Sequence, residues 1–183
     1  MGQHAPSVEK TLAADATLRL HFPEVAHAKA GENLSIPQAT PTPTFAVAAS
    51  ALKSEPGTKY VVVSIDLDAP FPSWSFLGPI LHGLHFDLVP GDPGADGFVP
   101  LEGGSEWVVP WLPPGPPKPS SAHRYVFQVF EQPKDLDAAK VKSALKLAEE
   151  VKLTARLWWN VADAEQKLGL GEVLAGTYFL THA

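Results

Sequence analysis

Residues 59–68 constrain the fold of this chain more than any other segment. The segment is apolar and rich in β-branched residues, which predicts a central strand of a β-sheet. It ends on two carboxylates, Asp66 and Asp68, where a strand normally ends on side chains that pack. We therefore expect a mostly β protein with a polar site at the end of this strand.

Alternating polar and apolar residues predict further strands on either side of this segment. They fall at residues 17–22, 44–49, 80–89, 124–132 and 177–181. Segments rich in Pro and Gly, residues 90–94 and 110–119, separate several of them and predict turns and long loops.

Helical patterns appear only in the last third of the chain. Asp137 is a candidate N-cap for a helix over residues 138–152, in which apolar side chains recur at helical spacing. A second helix is predicted from about residue 154 to residue 168, with Gly169 at its C-terminal end. Without a repeat or a linker, residues 1–183 predict one antiparallel β domain with a short helical tail.

Composition excludes several classes of protein. A net charge of -6 argues against nucleic-acid binding, which needs a basic surface. No apolar run approaches the roughly 18 residues of a transmembrane helix, and the first twenty residues lack the pattern of a secretory signal. The absence of cysteine excludes disulfides and thiolate chemistry. We expect a cytoplasmic protein without a metal site or a cofactor.

A second polar cluster opens the strand predicted at residues 124–132. His123, Arg124 and Tyr125 are consecutive, and the side chains of His123 and Tyr125, two residues apart, share one face of a strand. Imidazole and phenol groups donate hydrogen bonds to anionic oxygens. Together with a carboxylate they can also transfer protons at a carbonyl compound. The sequence therefore predicts a small pocket for a polar ligand.

These motifs resemble the signatures of the phosphatidylethanolamine-binding protein family. Asp66-Leu-Asp-Ala-Pro70 is similar to the family's Asp-Pro-Asp-Ala-Pro, and residues 116–125 are similar to its Pro-Pro-x-Gly-Thr-Gly-x-His-Arg-Tyr. Ile80-Leu-His82 resembles the strand that carries its Leu-His-Trp. Residues 168–179 resemble its Leu-Gly-x-Pro-Val-Ala-Gly-x-x-Phe. The resemblance runs in order from about residue 17 to residue 180.

The resemblance implies a two-sheet antiparallel β fold with C-terminal helices and a small pocket at the edge of the larger sheet. In the family this pocket accepts phosphate, acetate or a phospholipid head group. Transferred to this chain, its lining and its candidate catalytic groups would be Asp66, His82, His123 and Tyr125. Asp68 and Pro70 would shape the adjoining loop, and Arg124 would tie loops together.

Two histidines compete for one pocket position. One residue more than the resemblance implies separates His82 from the turn at Pro90. Either a bulge lies in this strand or His85 takes the pocket position. The preceding Ile80-Leu81 favours His82. Three residues apart on a strand, the two side chains should point to opposite faces.

The second signature departs from that of the family in its glycines. Pro119-Ser-Ser121 replaces Gly-Thr-Gly, and Pro119 has no N–H to donate, so an anion cradle of backbone amides would be altered. Trp107 and Trp111 lie just upstream, with Trp111 at a ligand-contacting position where the family often has tyrosine. More indole and less glycine predict a flatter, larger and more apolar ligand than a phosphate head group.

Two classes of function remain open. The first is a module that binds a small anionic or carbonyl-bearing ligand, with a protein partner such as a kinase or a protease possible. The second is a cofactor-free enzyme, similar to fungal family members associated with polyketide pathways. It would use Asp66 or His123 as the base, His82 as its partner and Tyr125 as the oxyanion donor. Its reaction would be an enolisation, Michael-type addition, cyclisation or dimerisation.

Overall fold

One eight-stranded sheet organises the computed structural model, which describes residues 4–25, 29–53, 55–104 and 107–183. Its strands are β1 (Leu18–His21), β2 (Glu32–Asn33), β3 (Thr44–Ala48), β4 (Tyr60–Asp66), β5 (Ile80–Pro90), β6 (Phe98–Gly103), β7 (His123–Glu131) and β8 (Ala175–Thr181). They lie in the order β1-β3-β6-β5-β4-β7-β8-β2. Neighbouring strands are antiparallel except β2 and β8, which are parallel. The predicted mostly β fold is confirmed.

The sheet curls so that its two faces belong to different cores. On the inner face, Leu18 of β1 packs in one cluster with Phe127 of β7 and Phe179 of β8. On the outer face, Val61 and Val63 of β4 pack in a second cluster, to which α-helices contribute. The sequence implied two separate sheets. The structure has one continuous sheet instead, because the end of β5 pairs with β6.

Four α-helices flank the sheet in the part of the chain that the structure describes. They are α1 (Pro6–Ala13), α2 (Ile36–Ala39), α3 (Ala138–Leu145) and α4 (Val161–Leu168). Helix α3 begins as predicted, since Asp137 Oδ1 accepts a hydrogen bond from the Lys140 N–H at 2.8 Å. The predicted end at residue 152 is wrong, because the chain leaves the helix at Lys146, which has a left-handed φ of 55°. Helix α1 was not predicted: it is short, and only Val8 and Thr11 are buried in it.

The second C-terminal helix is half as long as predicted. It ends at Gly169, with φ of 64°, as expected, but begins only after Asn160. Upstream, the backbone bonds to the segment before β5 instead: the Trp159 N–H donates to the Pro79 carbonyl at 2.8 Å. These tertiary hydrogen bonds override a local helical pattern. No helix of the described residues has both the length and the apolar character needed to cross a membrane.

Candidate functional site

The polar groups predicted from the two motifs meet at one end of β4 and β7. Asp66 is the register partner of Tyr125 in this strand pair, and His123 precedes Tyr125 by two residues. All three side chains lie on the inner face and are at most 3% exposed. Antiparallel pairing therefore brings together residues that lie almost sixty positions apart in the chain.

Asp66 and His123 form a buried ion pair. The His123 Nδ1–H donates to Asp66 Oδ2 at 2.9 Å. His123 Nε2 lies 3.1 Å from the Pro70 carbonyl oxygen and 3.0 Å from the Ser120 hydroxyl. That hydroxyl donates its own proton to the Ser121 carbonyl at 2.8 Å. Both ring nitrogens thus face acceptors, which is the environment of an imidazolium.

Electrostatics favour the same protonation state for His123. Burial lowers its pKa, but the hydrogen bond and negative charge of Asp66, with smaller contributions from Asp68 and the Pro70 carbonyl, outweigh burial and raise it. His123 is therefore an acid and a hydrogen-bond donor in this site.

His82 has the opposite protonation. Its Nδ1–H donates to the Leu112 carbonyl at 2.6 Å. Burial lowers its pKa, and the charge of Asp66 offsets this only in part. The neutral tautomer with a proton on Nδ1 leaves a lone pair on Nε2, so His82 is a hydrogen-bond acceptor and a candidate base.

Tyr125 lies between the two histidines. Its ring is 5.0 Å from that of His82, edge to face, and 6.4 Å from that of His123. Phe179 stacks behind it at 5.2 Å. Burial first, and then the negative charge of Asp66, raise the pKa of Tyr125, so the phenol stays neutral and can donate.

The bulge considered from the sequence is present. Pairing of β4 with β5 shifts register between Ser64 and Ile65, whose partners are Gly83 and Leu81, and His82 lies in between. The expectation that His82 and His85 face opposite sides is wrong, because this irregularity turns both toward the inner face. They still differ in surroundings, since His85 stacks on the Trp107 ring at 4.6 Å.

Asp68 holds the strand ends together. Its carboxylate accepts from Arg124 Nη2 at 2.6 Å and from Arg124 Nε and backbone N, each at 2.8 Å. Its own backbone N–H donates to Asp66 Oδ1 at 2.8 Å. Asp68 and Arg124 therefore fix the loop that presents the Pro70 carbonyl to His123.

Comparison with known families gives a match that covers most of the chain. A family model for phosphatidylethanolamine-binding proteins matches residues 10–179. The chain belongs to the phosphatidylethanolamine-binding protein family.

Two curated proteins to which the chain is similar are fungal. Phomoidride biosynthesis cluster protein N of Talaromyces stipitatus is 29% identical over 123 residues, which are 67% of this chain and 59% of that protein. The carboxypeptidase Y inhibitor of Saccharomyces cerevisiae is 46% identical over 37 residues, 20% of this chain and 17% of that protein. The chain thus matches less than two thirds of the length of either relative.

Solved structures of the family share the fold. Carboxypeptidase Y inhibitor, in complex with its cognate proteinase, superimposes with a TM-score of 0.72 at 21% identity, covering 92% of this chain and 84% of that chain. A phosphatidylethanolamine-binding protein from Plasmodium falciparum superimposes with a TM-score of 0.64 at 15% identity, covering 97% and 92%. At these identities the likeness establishes the fold alone.

The two tryptophans upstream of the second family signature have different places. The Trp111 ring packs 5.8 Å from that of His82 and 5.5 Å from that of Phe127, and it is partly exposed. Trp107 packs instead on His85 and Phe45. Of the two tryptophans, Trp111 is therefore the one that packs against the pocket residue His82.

Sequence reasoning missed two participants. Ser120 lies in the segment that replaces the family's glycines, and its hydroxyl meets His123. Arg156 lies in a segment predicted to be helical, yet its guanidinium reaches the His82 carbonyl at 3.2 Å. Neither had a sequence signal, because a serine in a loop and an arginine in a helical pattern are ordinary surface residues.

Proposed function

We propose that Asp66, His82, His123 and Tyr125 bind a small ligand through an anionic or carbonyl oxygen. The supporting observation is the convergence of two buried donors, the His123 imidazolium and the neutral Tyr125 phenol, with the acceptor nitrogen of His82. A ligand oxygen would accept from the donors, and a ligand hydroxyl or enol would donate to His82.

Ligand entry requires a local rearrangement. The four side chains are at most 4% exposed, and His123 Nε2 contacts the Pro70 carbonyl and the Ser120 hydroxyl. A ligand oxygen would replace these acceptors as the loops after β4 and before β7 move outward. The partly exposed Trp111 ring would then cover an apolar portion of the ligand, which favours a flat carboxylate or ketone over a phosphate head group.

Calorimetric titration with benzoate, acetate and phosphoethanolamine tests this proposal. Tyr125→Phe should weaken benzoate binding about tenfold, the effect of losing one hydrogen bond to a charged group. Tyr178→Phe is the matched control, because Tyr178 packs with the outer core, and it should bind like the wild type. Equal affinities for Tyr125→Phe and the wild type would refute the binding site. Phosphoethanolamine binding tighter than benzoate would refute the flat apolar ligand.

A second candidate function is cofactor-free proton transfer in fungal secondary-metabolite biosynthesis. Two observations favour it: the pKa values of His82 and His123 are shifted in opposite directions, and one curated relative is a phomoidride biosynthesis cluster protein. Paired groups with separated pKa values are typical of acid–base sites. We assign the base to His82 rather than to His123, which carries its proton. Tyr125 and His123 would stabilise an enolate oxygen.

Deuterium exchange at the methyl group of acetophenone in D₂O, followed by NMR, tests this second candidate. The wild type should exceed an equal concentration of free imidazole. His82→Asn, which keeps an N–H near the Leu112 carbonyl but lacks Nε2, should lose about 100-fold. His85→Asn serves as a control on the same strand and should retain the rate. Exchange by His82→Asn at the wild-type rate would exclude His82 as the base.

A further inference from the structure

Arg156 is a buried cation whose hydrogen bonds to described residues all go to backbone carbonyl oxygens. Arg156 is only 6% exposed. Nη1 donates to the Pro110 carbonyl at 2.9 Å, the His82 carbonyl at 3.2 Å and the Leu81 carbonyl at 3.4 Å. Nε donates to the Val151 carbonyl at 3.4 Å. Arg156 thus joins the start of β5 to the segment before β7 and to the segment between α3 and α4.

The charge of Arg156 has no carboxylate partner among the described residues. Every ion pair found there within 4.0 Å joins other groups. In the pocket, Asp66 pairs with His123 and Asp68 with Arg124, so each of these pairs is neutral. Carbonyl dipoles solvate a guanidinium but do not cancel its charge. These five groups therefore carry one positive charge in excess.

Arg156 is coupled to His82 through a small network of hydrogen bonds. The His82 carbonyl accepts from Arg156 Nη1 and also from the Leu112 N–H at 2.7 Å. The Leu112 carbonyl in turn accepts from His82 Nδ1–H at 2.6 Å. This network fixes the His82 ring and its tautomer, and the nearby positive charge opposes protonation of the ring.

We propose that Arg156 is a positioning residue that biases this pocket toward negatively charged ligands and keeps His82 available as a proton acceptor. The inference rests on the proposed ligand-binding function. The altered loop Pro119-Ser-Ser121 has lost one backbone donor. Arg156, bonded to the His82 carbonyl at 3.2 Å, supplies positive potential next to His82.

Acetate and acetamide form a matched pair of probes, because they have similar shapes and differ in charge. Arg156→Met keeps the apolar stem and should weaken acetate binding about tenfold, while acetamide changes less than about threefold. Arg156→Lys keeps the charge and should stay within about threefold of the wild type for both. Arg19→Met, which removes a cation paired with Asp96 on the surface, is the control for net charge.

NMR titration of the His82 ring provides a readout that a merely structural role would not move. In Arg156→Met the titration should shift to higher pH, and in Arg156→Lys it should not. If the methionine variant does not fold, Arg156→Gln keeps N–H donors for the carbonyls and replaces it. A folded Met or Gln variant that discriminates acetate from acetamide like the wild type, with an unshifted His82, overturns the proposal. If the wild type binds neither probe, the ligand site fails, while the His82 titration still decides the role of Arg156.

Discussion

Asp66 determines the charge state of the pocket at the scale of single residues. Its carboxylate accepts from His123 Nδ1–H at 2.9 Å and from the Asp68 N–H at 2.8 Å. Asp66→Asn keeps the shape but removes the charge, so burial should dominate and the pKa of His123 should fall. NMR titration of His123 measures this shift. Asp96→Asn, a surface change, should leave it in place, and an unmoved His123 in Asp66→Asn would contradict the assignment of its proton.

The composition of the pocket was more predictable than its protonation. Strand periodicity placed His123 and Tyr125 on one face, and the resemblance to the family signatures grouped Asp66 with them. The proton on His123 depends on the Pro70 carbonyl and the Ser120 hydroxyl, which belong to loops. No sequence pattern specifies such loop contacts.

At the scale of secondary-structure elements, the C-terminal end of α3 is strained at one exposed residue. Lys146 adopts φ of 55°, a conformation that costs an L-residue about 1 kcal/mol and glycine little. Lys146→Gly should therefore raise the free energy of unfolding by about 0.5–1 kcal/mol, as measured by urea denaturation. Ala139→Gly inside the same helix is the control and should lower it by about 1 kcal/mol. Destabilisation by Lys146→Gly would show that the end of α3 is not strained.

Helix ends illustrate why elements are only partly predictable. Asp137 marks the start of α3 because a side-chain cap is a local interaction. The end at Lys146 is not marked, since lysine, leucine and alanine continue the sequence and all favour helix. The helix predicted over residues 154–160 is absent for a different reason. Trp159 bonds to the chain just before β5, and Arg156 bonds to a carbonyl within β5.

At the scale of the whole molecule, the pocket lies where the curled sheet brings an apolar core and a group of charged and polar oxygens together. His82 lies in the rim of the apolar inner core and next to a cation. His123 faces a carboxylate and two further oxygens. The fold thus gives two histidines, on strands separated only by β4, opposite electrostatic surroundings. A sequence comparison of the two residues does not reveal this difference.

These opposite shifts predict a maximum of stability near pH 6.5, the ordinary pKa of histidine. The raised pKa of His123 contributes stability that is complete below about pH 6.5 and is lost as pH rises through its folded pKa. The lowered pKa of His82 acts in the opposite direction. Below about pH 6.5 the unfolded chain binds a proton that folded His82 does not bind, so the protein becomes less stable as the pH decreases. Each slope is at most about 1.4 kcal/mol per pH unit.

Urea denaturation between pH 5.5 and 8.5 measures both slopes. His82→Asn should flatten the acid side. Asp66→Asn should abolish the alkaline slope and steepen the acid side, because burial then lowers the pKa of His123 as well. His182→Asn, at an exposed residue, should change neither slope. An acid slope that persists in His82→Asn would assign it to other groups.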